Sequence, residues 1–530
     1  MKRLLLLLSL IVAACASAPQ RNQDLVARAL DAMGGADVLD ARKSIYIKAS
    51  TKQWEPEQSV VASGEMRFAN EATYEFLADI GARTTRIDWV KNFSYPSTRT
   101  FKFTEIITPD AGYVAGIDSN GRNKQSRESN PPGFAMSSLR LATTQRELLR
   151  TSPRLLLQMR DNPGNVSSSP DVTIGGVTYP AVNYKTGNVT FTVMFDPQSG
   201  LPARVRTLDW DNVYGDSAYD VVLSDWRPLG SSKGRIAGTR RYELNGKVIS
   251  EVKIIEAVEN APVSADRFAM PAAAKAAAAK PATSPSVPYQ WVIRRQVIGT
   301  YLDSENTSYD TQASSGLSLV ELAAGVQHTT NGAGNSLIVE MRDHLIVFDA
   351  PASDWQSNWT INAAKAKYPG KPIKYLVLTH HHMDHAGGMR AYAAEGATLV
   401  VGKGNGEHFR KHLAAPSSLN PDLAVRDFSR TQVIEVVDKQ VLSDGKREVS
   451  VFVIDNPHCN GMMIGYVNDV RIGFVTDLWS PGRDPLPAKI TPALAAVHNA
   501  VKKSGITPVK FAGGHGTVGE YAPLMALASK

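Results

Sequence analysis

One stretch constrains this chain more than any other: an apolar run that ends in a cluster of imidazoles and a carboxylate. Residues Tyr375–Leu378 predict a buried strand, and THHHMDHAGG follows directly. His380 and His382 alternate along an extended loop, so both can point toward one ion. Asp384 and His385 lie past the next turn and can hold a second ion. Ligands of these types at this density suit zinc or another borderline divalent metal.

Three further donors follow downstream, each at the end of an apolar stretch and beside glycine or proline. His458 lies in NPHCNG, Asp477 follows the strand-like run Ile472–Thr476, and His515 lies in GGHG. Donors in such places suit a site at strand ends, which makes a chance histidine-rich surface loop the weaker interpretation. All 11 histidines lie at His328 or later, which excludes imidazole chemistry from the preceding half of the chain.

Together, these motifs resemble those of a known protein superfamily. THHHMDHAGG resembles the H-x-H-x-D-H signature of the metallo-β-lactamase superfamily, and the later motifs occur in the order found there. The resemblance covers about Leu317 to the C-terminus. It implies an αβ/βα sandwich of two mixed sheets with helices outside. It also implies two Zn²⁺ ions per chain: the first held by His380, His382 and His458, the second by Asp384, His385 and His515, and both bridged by Asp477.

The resemblance further implies a hydrolase in which a metal-bridging hydroxide attacks the substrate and Asp384 relays the proton. THHHxDHxGG is similar to glyoxalase II-like thioesterases and lactonases, which favours an ester, thioester, lactone or related acyl bond in a small molecule. A β-lactamase or a phosphodiesterase on the same metals stays open, although no Lys/Arg cluster lies near the motifs and no nucleic-acid partner is expected. A di-iron redox protein and a non-catalytic envelope lipoprotein with a structural metal stay open as well.

Three neighbours of the motifs are expected to support the site or to pack beside it. Asp349 ends a predicted strand where the superfamily keeps a structural acid, and we expect it to orient a ligand through a hydrogen bond. His381 is expected to pack or to form a hydrogen bond. Cys459 is expected to be a packed thiol.

Residues 20–269 predict a β-rich, antiparallel domain, so the whole chain is expected to be α+β. Runs such as Ser44–Lys48 and Val189–Phe195 are typical of strands, and Asn245-Gly246 is a turn signal. Ser137–Gln158 is a helical insert that Pro153 interrupts. The pattern faintly resembles the half-barrel of periplasmic and outer-membrane lipoprotein carriers, which hold acyl chains; a structural or docking domain is the alternative.

A change of composition marks the predicted boundary between the two domains. Residues 270–288, MPAAAKAAAAKPATSPSVP, predict a short helix and then an extended exit. The second domain is expected to occupy residues 289–530.

Residues 1–18 have the features of a targeting segment. Lys2 and Arg3 precede the apolar stretch Leu4–Val12, which is too short for a permanent membrane span. The sequence VAAC resembles a lipobox in which Cys15 is lipidated; the alternative is cleavage after Ala16-Ser17-Ala18. We therefore expect an exported bacterial protein, periplasmic or anchored to the outer membrane by lipid. The net charge of +7 is mild for this length and implies no particular partner.

Overall fold

The computed structural model describes residues 18–119, 132–230, 232–276, 293–294, 296–297, 299, 317–332, 334–420, 423, 426–483 and 485–530. The predicted lipidation site Cys15 and most of the predicted linker lie outside these residues. Among the described helices, none combines the length and the apolar character that a membrane span requires.

A 13-stranded antiparallel sheet forms the N-terminal half. Its spatial order is β6-β5-β4-β3-β2-β1-β15-β14-β13-β12-β11-β10-β7, so the first long strand pairs with the last, and β8 and β9 form a separate hairpin. The strands are β1 Ser44–Glu55, β2 Arg67–Asp79, β3 Thr84–Phe93, β4 Arg99–Ile107, β5 Gly112–Gly116, β6 Gly133–Ala135, β7 Val166–Ser168, β8 Val172–Ile174, β9 Val177–Tyr179, β10 Ala181–Thr186, β11 Val189–Phe195, β12 Pro202–Asp211, β13 Gly215–Pro228, β14 Arg235–Leu244 and β15 Lys247–Glu259.

Helices cover part of this sheet. They are α1 Ala18–Ala32, α2 Ala36–Asp40, α3 Ser138–Arg150, α4 Arg154–Asp161 and α5 Ala272–Ala276, with 3₁₀ turns at Pro163–Asn165 and Ala265–Phe268. Ser137 caps α3 by accepting a hydrogen bond from the amide of Arg140. Leu30 and Leu156 pack on Phe191 and Val193 of the sheet. A cavity of about 840 Å³ remains, with Trp89 and Tyr219 among its lining residues.

Two mixed sheets packed face to face form the C-terminal half, with the order β16 to β22 in one and β23 to β28 in the other. Val339, Phe348 and Val400 of the first sheet meet Val451 and Phe474 of the second. The strands are β16 Ser318–Ala323, β17 Val326–Thr330, β18 Leu337–Glu340, β19 Leu345–Phe348, β20 Ile373–Leu378, β21 Thr398–Gly402, β22 Val433–Val436, β23 Lys439–Ser443, β24 Glu448–Val453, β25 Met463–Val467, β26 Ile472–Val475, β27 Lys510–Gly513 and β28 Val518–Glu520.

Helices lie on the outer face of each C-terminal sheet. Ile361, Tyr392 and Phe409 pack on the first sheet, and Val497 and Leu524 pack on the second. The predicted α+β class and the αβ/βα sandwich are therefore confirmed. The helices are α6 Asp354–Lys367, α7 Met383–Ala386, α8 Met389–Ala394, α9 Gly406–Leu413, α10 Pro492–Ser504 and α11 Tyr521–Ala528.

Parallel strand pairs bring the motif residues to one edge of the sandwich. Strands β19 and β20 are parallel, as are β26 and β27. Asp349 and the histidine cluster follow the first pair, and Asp477 and His515 follow the second. Because carboxyl ends of parallel neighbours meet at one edge, side chains far apart in sequence come together there.

The two halves are in contact through segments that the sequence did not single out. The chain between β1 and β2 reaches the C-terminal half, where the amide of Asn460 donates to the carbonyl of Val60 at 2.8 Å. Ile293 packs with Tyr219 and Leu244 of the N-terminal sheet, although the predicted boundary assigned it to the second domain. The domain bounds themselves stay predictions.

Candidate metal centre

Side chains from four loops converge in two groups of potential metal ligands. In each group the ligand atoms lie within 4.8 Å of one another. Nδ1 of His382 is 2.9 Å from Nε2 of His458, and Nε2 of His385 is 3.1 Å from Nε2 of His515. The first group contains His380, His382, His458 and Cys459, and the second contains Asp384, His385, Asp477 and His515.

Asp477 belongs to the second group and also reaches the first. Its Oδ2 is 3.0 Å from Nε2 of His380 and 3.3 Å from Nε2 of His458, while its Oδ1 is 3.0 Å from Nε2 of His515. The side chain is 14 % exposed, so one side of the site is open to solvent. One carboxylate can therefore face both groups at once.

Two buried atoms in this site fit a cation. Nε2 of His380 and Oδ2 of Asp477 have no hydrogen-bond partner of acceptable geometry among the described residues. Buried polar atoms are normally paired, and imidazole nitrogen and carboxylate oxygen are ligands that zinc accepts. The donor set therefore fits a metal site.

A buried carboxylate orients one ligand of the second group. Oδ2 of Asp349 is 2.8 Å from Nδ1 of His385, and the amide of Thr379 donates to Oδ1 at 2.8 Å. With Nδ1 held by this contact, His385 presents Nε2 to the site. Asp349 has a φ of 58°, a left-handed conformation that aspartate tolerates better than most residues. The sequence had placed a supporting acid at this position.

The two groups differ in their electrostatics. Burial lowers the pKa of His380 to about 3, with His385 nearby adding to the effect, so its imidazole is neutral. Burial alone would also lower the pKa of His515, but Asp477 and Asp384 raise it to about 9. The same kind of pairing raises the pKa of His385 and keeps that of Asp477 well below its usual range. Metal binding in the second group therefore has to displace protons.

Residues of the N-terminal half that no sequence motif predicts also reach the metal centre. The carbonyl of Ser59 is 2.9 Å from Nε2 of His382, and Nε2 of Gln58 donates to Oδ1 of Asp384 at 2.9 Å. No motif marks these two residues. Their polarity between two predicted strands was the available signal, and it does not reveal a partner.

Tyr95 and Arg67 extend this contact. The hydroxyl of Tyr95 donates to Oε1 of Gln58. Arg67 lies over the ring of Tyr95, 4.6 Å from its centroid, and donates to the carbonyl of His458 at 2.7 Å. The N-terminal half therefore contacts ligands of both groups.

Two residues beside the ligands have other partners. His381 shares an acceptor with His382, since its Nε2 also lies 2.9 Å from the carbonyl of Ser59. Cys459 is buried in an apolar cluster, and burial, together with Asp477, raises the pKa of its thiol well above the usual range. A protonated, packed thiol is a poor ligand, although its position in the first group leaves it within reach.

The comparison with known families decides the assignment. Residues 329–511 match the family model of the metallo-beta-lactamase superfamily. This part of the chain belongs to that superfamily. The resemblance predicted from THHHMDHAGG is therefore confirmed. The ligand roles of individual residues in this metallo-beta-lactamase domain stay predictions.

Individual proteins that resemble the metallo-beta-lactamase domain share little sequence identity with it or match only a short part of the chain. A linear primary-alkylsulfatase from Pseudomonas sp. is 31% identical over 86 residues, which is 16% of this chain and only 13% of that protein. The structure of a metallo-beta-lactamase from Pontibacter korlensis is 18% identical, covers 40% of this chain and 97% of its own, and has a TM-score of 0.31. An inverting sec-alkylsulfatase from Pseudomonas sp. is 15% identical, covers 42% of each chain and has a TM-score of 0.31.

Proposed function

We propose that the metallo-beta-lactamase domain hydrolyses an ester, thioester, lactone or related acyl bond of a small molecule, with two zinc ions held by His380, His382, His458, Asp384, His385, His515 and Asp477. The observation that carries the proposal is the position of Asp477, whose Oδ2 is 3.0 Å from Nε2 of His380 and whose Oδ1 is 3.0 Å from Nε2 of His515. A structural zinc site usually has four closed ligands and needs no bridging carboxylate.

The ions, when bound, would supply a water of lowered pKa and a Lewis acid for the substrate oxygen. Asp384 is suited to move the proton. Its side chain is 21% exposed, and it is ionised at neutral pH, because His385 keeps its pKa well below the usual range although burial opposes this. Cys459 is not suited to act as a nucleophile, because its buried thiol stays protonated.

A sulfate ester is the second candidate substrate, and the match to a linear primary-alkylsulfatase favours it. Arg67 is a cation beside the site that could face a sulfate group, since it donates to the carbonyl of His458. An anionic phosphodiester would meet the same cation, so the match to the alkylsulfatase is what favours the sulfate ester over it.

Turnover by the zinc-loaded full chain tests the proposal. The substrates are p-nitrophenyl acetate, a thioester, a lactone, a β-lactam, an alkyl sulfate and bis-p-nitrophenyl phosphate. We expect about two zinc ions per chain, turnover of an acyl substrate, and loss of that turnover in His382→Ala. His498→Ala is the matched control, because His498 pairs with the hydroxyl of Tyr521. Unchanged turnover in His382→Ala would contradict the proposal, and turnover of the alkyl sulfate alone would select the second candidate.

We also propose that the protein is exported and anchored by lipid at Cys15, on the strength of the VAAC sequence. The anchor predicts that the wild-type protein sediments with membranes and that Cys15→Ala does not. Equal sedimentation of the two would contradict the anchor.

A further inference from the structure

We propose that Gln58 and the backbone carbonyl of Ser59 are positioning groups of the metal centre, so that the N-terminal half helps to set its affinity for metal. This inference deepens the proposed function, because it concerns the same site. Both residues are buried, with exposures of 7% for Gln58 and 3% for Ser59. They lie in the connection between β1 and β2. The sheet that contains these two strands includes none of the seven proposed ligands.

The carbonyl of Ser59 fixes the orientation of a ligand in the first group. It lies 2.9 Å from Nε2 of His382, and Nδ1 of the same ring lies 2.9 Å from Nε2 of His458. A neutral imidazole that donates from Nε2 has its lone pair on Nδ1, the atom that faces the other ligands. Ligating histidines usually donate their second nitrogen in this way, to a carbonyl or a carboxylate. For His382 that acceptor comes from the other half of the molecule.

Gln58 performs the equivalent task for the second group. Its amide donates to Oδ1 of Asp384 at 2.9 Å, while Oδ2 of Asp384 is 3.4 Å from Nε2 of His515 and 3.7 Å from Nε2 of His385. One carboxylate oxygen is thus held and the other faces the second group. The hydroxyl of Tyr95 donates to Oε1 of Gln58, which keeps the NH₂ of the amide directed at Asp384.

The surrounding structure holds the segment in place. Arg294 forms buried ion pairs with Asp211 and with Glu57, the residue that precedes Gln58. The hydroxyl of Tyr214 donates to the carbonyl of Pro56 at 2.8 Å. A side chain or carbonyl that is itself held by packing and hydrogen bonds can keep a metal ligand in the orientation that binding requires.

Zinc titration of the metal-free full chain against a chromophoric chelator tests the role of Gln58. Gln58→Leu removes the donor with little change in volume, and Tyr95→Phe removes only the hydroxyl that orients it. Gln53→Leu is the matched control, because Gln53 lies on the neighbouring β1 and its Oε1 has no hydrogen-bond partner among the described residues. We expect Gln58→Leu to weaken the second zinc-binding step about 10–100-fold. Tyr95→Phe should weaken it less, and Gln53→Leu should leave both steps unchanged.

Two results would overturn this role. One is unchanged zinc affinity in a Gln58→Leu variant that circular dichroism shows to be folded; the other is an equal loss in Gln53→Leu. If Gln58→Leu does not fold, Tyr95→Phe decides, and unchanged affinity for the second ion then refutes the role of Gln58.

The Ser59 contact has its own readout. In zinc-loaded protein labelled with ¹⁵N-histidine, the Nε2 proton of His382 should be visible by NMR and slow to exchange with water. Rapid exchange would overturn the role of the carbonyl. Because both readouts report metal binding and not turnover, a protein that passes them and cleaves no acyl bond refutes the proposed function alone.

Discussion

The backbone carbonyl of Ser59 lies 2.9 Å from Nε2 of His382, although 323 positions separate the two residues in the chain. A contact of this kind makes the candidate metal centre a joint product of both halves. It also means that a change in the N-terminal sheet can alter the site without touching any proposed ligand.

Asp349→Asn should weaken metal binding in the second group. The new NH₂ would face the donors of Thr379 or the Nδ1 proton of His385, so the orientation of His385 would no longer be fixed. Asparagine tolerates the φ of 58°, which limits backbone strain. We expect about a 10–100-fold loss of zinc affinity, measured by titration. Asp343→Asn is the control, since its carboxylate is exposed; equal losses would contradict the argument.

Arg294→Met should destabilise the whole N-terminal half. The change leaves Glu57 and Asp211 buried without the cation that joins them. Removing one partner of a buried ion pair typically costs about 3–5 kcal/mol, which denaturant unfolding would detect. The triple change Arg294→Met, Glu57→Gln and Asp211→Asn should recover much of this loss. Failure to recover any of it would indicate that packing, and not charge, is what Arg294 supplies.

Gly387→Ala should displace α7, the short helix that carries Asp384 and His385. A Cβ at this glycine would overlap with the backbone oxygen of Ala352, which cannot move as a side chain can. We expect lower zinc content after purification and a lower unfolding midpoint. Gly164→Ala is the control, since nothing lies within 4 Å of a Cβ there. A variant with full zinc content would mean that the backbone near Ala352 relaxes easily.

His412 should make the free energy of unfolding depend on pH. Its ring lies 4.8 Å from that of Tyr214 across the contact between the halves. Burial, and then Arg390, lowers its pKa to about 4, whereas the unfolded residue has a pKa near 6.5. The unfolded chain therefore binds the proton first as the pH falls. The contribution of the neutral ring is fully present above about pH 6.5 and is lost as the pH falls to about 4.

The size of this effect is at most about 3 kcal/mol, by the usual conversion of a pKa difference. Unfolding curves of the wild type and of His412→Phe at pH 7.5 and pH 4.5 measure it. The free energy of unfolding of the wild type, relative to that of His412→Phe, should be lower at pH 4.5 than at pH 7.5. Parallel losses in both proteins would show that other buried histidines, such as His328, account for the acid sensitivity.

The site and the second half of the fold were largely readable from the sequence because their signals are local. Tyr375–Leu378 is apolar, the donors follow at fixed spacings, and Asp349 ends a strand. Chemistry of this kind needs particular side chains at particular places, and these leave a pattern.

The contribution of the first half left no such pattern. A backbone carbonyl such as that of Ser59 belongs to every residue type, and the side chain of Gln58 is ordinary in a turn between strands. What gives them a role is the long-range register of the sheet and the packing of Ile293 back onto it. Neither follows from composition or periodicity.

The pairing of β1 with β15 has a consequence for how a newly made chain matures. The segment with Gln58 and Ser59 leaves β1, which pairs with both β2 and β15, so we expect it to reach its final position only after β15 has been synthesised. Since none of the seven donors lies in this sheet, the sheet can form in the absence of zinc. Metal binding is therefore expected to be the last step of maturation, after the folded N-terminal sheet has come into contact with the loop that carries His380 to His385.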